Sequence, residues 1–94
     1  MKLSKKPRGL SVINDNGTIL GQLYDTLIFK YEDGTITLDS GGWYTMHTKK
    51  CINLIARDLG FDIYVKQRSG NWFVRASKNR NFEFKDGIVI DLEV

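Results

Sequence analysis

The sequence predicts an α+β domain built mainly from antiparallel β-hairpins, with a single central α-helix packed on the sheet. Three observations carry that expectation. Turn signals that end in glycine recur between short runs whose apolar residues alternate in period two, as hairpins require. One stretch alone, from about Thr45 to Gly60, changes to helical spacing. The order is therefore strands, one helix, strands.

In chain order, Met1 to Arg8 is polar and basic and holds the only proline, Pro7, so residues 1–8 read as a flexible N-terminal arm and residues 9–94 as one domain. Leu10 to Ile13 and Thr18 to Leu23 are apolar runs joined by Asn14-Asp15-Asn16-Gly17, a cluster that tolerates left-handed backbone angles and predicts a hairpin. Asp33-Gly34 is a stronger signal. Pairing outward from it sets Glu32 against Thr35, Tyr31 against Ile36, Lys30 against Thr37 and Phe29 against Leu38. Leu27, Phe29, Tyr31, Ile36 and Leu38 would then share a buried face, with Ile28, Lys30, Thr35 and Thr37 on the other.

Ser40-Gly41-Gly42 ends that sheet. Gly41 and Gly42 supply a turn that lets Trp43 tuck under the helix as a buried anchor, and Thr45 or Thr48 satisfies the free amides at the helix start. At helical spacing Thr48, Cys51, Ile52, Ile55 and Leu59 form one stripe, flanked by Leu54 and Ala56, that packs on the sheet. Lys49, Lys50, Asn53 and Arg57 fall on the opposite, water-facing side. After Gly60, a hairpin around Ser69-Gly70 sets Gln67 against Trp72, Lys66 against Phe73, Val65 against Val74 and Tyr64 against Arg75, with Phe61, Ile63, Val65, Trp72 and Val74 inward. Lys85-Asp86-Gly87 is expected to join Asn81–Phe84 and Gly87–Val94 as a last strand pair.

Composition narrows the function classes. A length of 94 residues and 41% hydrophobic content predict one domain with one core. Cys51 is the sole cysteine, so an intrachain disulfide and a cysteine-rich zinc cage are both excluded and a reducing cytoplasm is the natural setting. No signal-peptide pattern and no membrane-spanning apolar run is present, and no cofactor motif is recognised.

The net charge of +3 conceals a strong asymmetry. Residues 1–8 hold Lys2, Lys5, Lys6 and Arg8 and no acid. Residues 9–48 set Lys30 against Asp15, Asp25, Glu32, Asp33 and Asp39, a net −4. Residues 49–80 hold eight cations against Asp58 and Asp62, a net +6, and the last fourteen residues come to −3. A basic block lies between two acidic ones.

Within that block, the hairpin register places Tyr64, Lys66, Arg68, Phe73 and Arg75 together on the outward face. Two rings among three cations fit single-stranded nucleic acid, in which rings stack bases and cations hold phosphates, but the modest overall charge favours a protein contact, or an ordinary exposed β-face whose rings cover the sheet or meet a second subunit. Lys49, Lys50, Asn53 and Arg57 make a second basic surface, on the helix. The histidine His47, near Asp39 and Tyr44, invites a proton-transfer reading. Nothing in the spacing brings a partner to it, and Cys51 falls on the buried stripe where a thiol acts as a small hydrophobe. One His, one Cys and scattered carboxylates show no metal-ligand spacing.

The run Ile36 to Asn53, ITLDSGGWYTMHTKKCIN, is the most distinctive string. With Ser40-Gly41-Gly42-Trp43, Thr45 and Thr48, Lys49-Lys50 and Ile52-Asn53, and with the later Gly70-Asn71-Trp72-Phe73-Val74 and Phe84-Lys85-Asp86-Gly87, it resembles a family of small, mostly uncharacterised proteins of tailed bacteriophages and prophages. His47 and Cys51 depart from that pattern, which has threonine and arginine there. The resemblance implies a protein acting in the cytoplasm of an infected bacterium. It also suggests, by analogy with small phage accessory proteins, one that blocks or redirects host machinery such as restriction or CRISPR defence.

The leading expectation is thus a phage-encoded, non-enzymatic binding protein directed at a host or defence-system protein. The alternative is a small nucleic-acid-binding module using the basic and aromatic β-face. An exposed β-face or edge strand offers a route to a homodimer.

Overall fold

The computed structural model describes residues 7–92. Strands β1 (Leu10–Asp15), β2 (Thr18–Leu23), β3 (Thr26–Glu32) and β4 (Thr35–Leu38) form a meander, followed by helix α1 (Met46–Asp58). Next come β5 (Ile63–Arg68), β6 (Asn71–Ala76), a short 3-10 turn at Ser77–Asn79, β7 (Arg80–Glu83) and β8 (Ile88–Asp91). The strands make two antiparallel sheets, one ordered β1-β2-β3-β4-β8 and one ordered β5-β6-β7. Mostly antiparallel strands and one packed helix make the fold α+β.

Three turns follow from local chemistry. Asn16-Gly17, Asp33-Gly34 and Ser69-Gly70 each place both residues at positive φ, between 50° and 89°, the two-residue geometry that suits the right-handed twist of the flanking strands. The pairings of β3 with β4 and of β5 with β6 match the expected registers residue for residue.

The helix also starts and stops where its sequence directs. Thr45 is the N-cap: its side chain accepts from the Thr48 backbone N–H at 3.2 Å. At the other end Gly60, at φ 80°, donates to the Arg57 carbonyl while Phe61 donates to that of Ala56, the paired bonds that close a helix on a left-handed glycine. Thr48, Cys51, Ile52, Ile55 and Ala56 are buried. Burying Ile52 and Ile55 contributes about 1.5–3 kcal/mol each. Gly21 admits the helix to β2, because a Cβ there would stand 2.6 Å from Ile55 Cδ1.

Three expectations are corrected. Gly21 pairs with Phe29 but Gln22 pairs with Leu27, so β3 carries one extra residue, Ile28. That bulge shifts the alternation: Ile28 and Phe29 are both fully buried, while Leu27 is turned out. The final two strands do not pair with each other. β7 joins β6, and β8 crosses to the free edge of β4, guided by Asp86, whose Oδ1 accepts from the Ser40 N–H and hydroxyl at 2.7 and 2.6 Å, and by Gly87, which donates to Leu38. Trp43, expected as a buried anchor, is 67% exposed. Its neighbour Tyr44, itself 49% exposed, makes ring contacts edge-on to Trp72 and Phe84 at centroid distances of 5.0 and 5.8 Å, which fasten the loop before α1 to the second sheet.

Candidate functional site

The solvent face of the three-stranded sheet is assembled by register. Tyr64 stands opposite Arg75 and Lys66 opposite Phe73, and β7 adds Asn81 beside Arg75 and Glu83 beside Phe73. Strand alternation sends Ile63, Val65, Trp72 and Val74 to the core and leaves Tyr64, Lys66, Arg68 and Arg75 exposed, with Phe73 half-buried at the centre. None of the face's three cations forms an ion pair among the described residues, and Glu83 beside Phe73 is the one acid that the register brings to this face. Arg75 donates to Asn79 Oδ1 at 3.3 Å, which steers its guanidinium along the sheet.

The helix residues lie apart from this face. Lys49 donates to Gln67 Oε1 at 3.1 Å, and Gln67, in register with Trp72, alternates to the other side of β5 from Lys66 and Arg68. Lys50 is exposed, and Arg57 pairs with the adjacent Asp58. Asn53 does not face water. Its side-chain amide donates to the Val65 carbonyl at 2.9 Å and accepts from the Val65 N–H at 2.7 Å, so both of its functions serve the fold. Of the basic arm, Lys2, Lys5 and Lys6 lie outside the described residues. Arg8 is exposed, and its carbonyl is 2.9 Å from His47 Nε2.

The glycine motif shapes a second feature. Gly41 sits at φ 65°, and a Cβ on it would meet Thr26 Oγ1 at 2.6 Å, so the loop before α1 is pressed against the start of β3. Beside this contact opens a cavity of about 390 Å³. Its floor is Leu23 and Ile28, and its walls are Tyr24, Asp25 and Thr26 from the β2–β3 turn and Ser40, Trp43, Thr45, His47 and Thr48 from the loop and helix start. Tyr24 and Asp25 had no turn signature to mark them: Tyr24 lies at φ 51°, a conformation uncommon for a bulky residue.

Around His47 the chemistry is quiet. Its Nε2 is 4.0 Å from Cys51 Sγ, but the thiol is fully buried and burial holds its pKa above the ordinary value, only partly offset by Lys50. That is the reverse of an activated nucleophile. Asp39 is engaged by the Gly41 N–H at 2.6 Å. Among the described residues no cluster of His, Cys, Asp or Glu is arranged to hold a metal, and no helix is long and apolar enough to cross a membrane.

Compared with known families, residues 6–91 match the model described as Kyanoviridae Gp96 protein. No curated protein and no solved structure matches the chain.

Proposed function

We propose, from the premise that the chain belongs to the Kyanoviridae Gp96 protein family and is therefore a phage protein, that it works without catalysis, by binding host machinery in the infected cell and blocking or redirecting it. A defence complex of the restriction or CRISPR type is the foremost target, by analogy with other small phage accessory proteins. The observation that supports a binding role is the face of β5 and β6, where Lys66, Arg68 and Arg75 stand without ion pairs among the described residues around Phe73 and Tyr64. Such a face suits a partner surface rich in acid, and its rings supply contact area of the kind that dominates interface energetics.

The test is infection. Bacteria that carry an active restriction or CRISPR system and express the protein should show a raised plating efficiency for the targeted phage. Lys66→Glu with Arg68→Glu should return plating to the defended level while leaving the far-UV spectrum unchanged. Unaltered plating across both kinds of defence would remove that target class.

The interleaved rings favour one second reading, a single-stranded nucleic acid. In fluorescence anisotropy with labelled oligonucleotides, that ligand would bind less tightly as salt rises, with a log–log slope of about −0.7 per phosphate contact. Tyr64→Ala would weaken it by roughly tenfold. Absence of binding at low salt would eliminate this reading and leave the protein partner.

A further inference from the structure

We propose that the cavity beside the helix start is a recognition pocket for a cationic side chain, an arginine presented by a protein partner, and that it acts independently of the basic sheet face. The first ground is the character of the walls. Trp43 and Tyr24 are 67% and 58% exposed, and the backbone of each is pinned by hydrogen bonds. The Trp43 N–H donates to the Ser40 carbonyl at 3.0 Å and its carbonyl accepts from Thr45 at 2.8 Å. Tyr24 donates its N–H to the Gly9 carbonyl at 2.9 Å, its carbonyl accepts from Gln22 Nε2 at 2.9 Å, and its ring lies so close over Gly9 that a Cβ there would be 2.5 Å away. A tyrosine ring held over Gly9 on a strained backbone, and an exposed tryptophan whose backbone is pinned on both sides, stand at the rim of the concavity and present two ring surfaces for contact.

Charge decides the ligand. Asp25 is the one acid or base lining the cavity apart from His47, and its carboxylate has no hydrogen-bond or ion-pair partner among the described residues. The segment that supplies most of the walls, residues 9–48, has a net charge of −4. Asp25 would repel a phosphate or carboxylate at the turn end of the cavity, opposite the positive end of the helix dipole, whereas a cation beside Asp25 meets ring faces and an open carboxylate. Between cations, the planar guanidinium stacks on aromatic rings and bonds a carboxylate through two donors at once, which an ammonium cannot do. The volume, about 390 Å³, suits a side chain and its backbone flank, at the small end of ligand pockets.

The test is nitrogen-detected NMR of the full chain titrated with N-acetyl-arginine amide, with the matching citrulline compound as its neutral isostere and adenosine monophosphate as the anionic ring control. The arginine probe should shift the Trp43 indole and the Tyr24 and Asp25 amides saturably, with roughly millimolar affinity, as one side chain allows. Citrulline, and arginine against Asp25→Asn or Trp43→Ala, should each bind about tenfold more weakly. Trp43 and Asp25 are exposed, so both variants keep the core intact, and the unchanged dispersion of the remaining amides verifies it. Equal binding of citrulline, preferential binding of the nucleotide, an unchanged affinity in the variants, or no shift with arginine would each overturn the proposal.

Discussion

At the scale of single residues, Asn53 shows how a polar side chain expected to meet a partner is consumed by the fold. β5 is an edge strand, and its Val65 N–H and C=O that point away from β6 are answered by one amide that presents a donor and an acceptor as a neighbouring strand would. Asn53→Ala leaves both backbone groups half-buried and unpaired, and should lower stability by about 2 kcal/mol in urea unfolding. Cys51 offers a pH signature. Burial raises its pKa above the ordinary 9.0, so the folded chain retains a proton that the unfolded chain gives up. This contribution is fully present below pH 9.0 and is lost as pH rises toward the folded value. Urea midpoints between pH 8 and pH 10 should fall less steeply for Cys51→Ala than for the natural chain.

At the scale of elements, what was legible had a local cause. Asn16-Gly17, Asp33-Gly34 and Ser69-Gly70 dictate their turns, each turn fixes its register, and the register alone gathers Tyr64, Lys66, Arg68, Phe73 and Arg75. Thr45 and Gly60 likewise bound the helix. What escaped has a distant cause. The bulge at Ile28 answers to the helix lying over Gly21, and the turn at Tyr24 is held by Gly9, fifteen positions earlier. Trp43 stays out of the core, and it is its neighbour Tyr44 that meets Trp72 and Phe84, rings brought there by β6 and the chain after β7. The cavity draws on all of these, so no sequence window contains it. The tie between Asp86 and Ser40 is of the same kind, since it fastens the loop before β8 to the loop before α1. Asp86→Ala should cost about 2 kcal/mol, as the loss of charge-assisted bonds does, and should speed hydrogen exchange at Gly41 and Gly42 ahead of the strands.

At the scale of the whole molecule, the return of β8 to β4 brings Asp91 into the five-stranded sheet, whose strands and turns carry most acids of the first segment. The helix and the β5–β6 hairpin hold most of the basic block, and β7 sets Glu83 beside it. The same return governs cooperativity. Ile36 pairs with Ile90 and Leu38 with Ile88, so the core of the first sheet is incomplete until nearly the last residue is placed, and helix α1, which packs on β5 as well as on β2 and β3, ties the second sheet to it. Neither sheet is then able to unfold while the other keeps its buried surface, and loss of structure should be all-or-none. Trp43→Phe makes the buried Trp72 the sole tryptophan, a reporter of the second sheet, while Cys51, buried in the helix, reports the contact with the first. In this variant the urea midpoint from Trp72 fluorescence should coincide with that from pulsed thiol labelling of Cys51. Two separate midpoints would mean that the helix and first sheet form one unit and the β5–β6–β7 sheet another, and that the basic face is carried by a part that opens on its own.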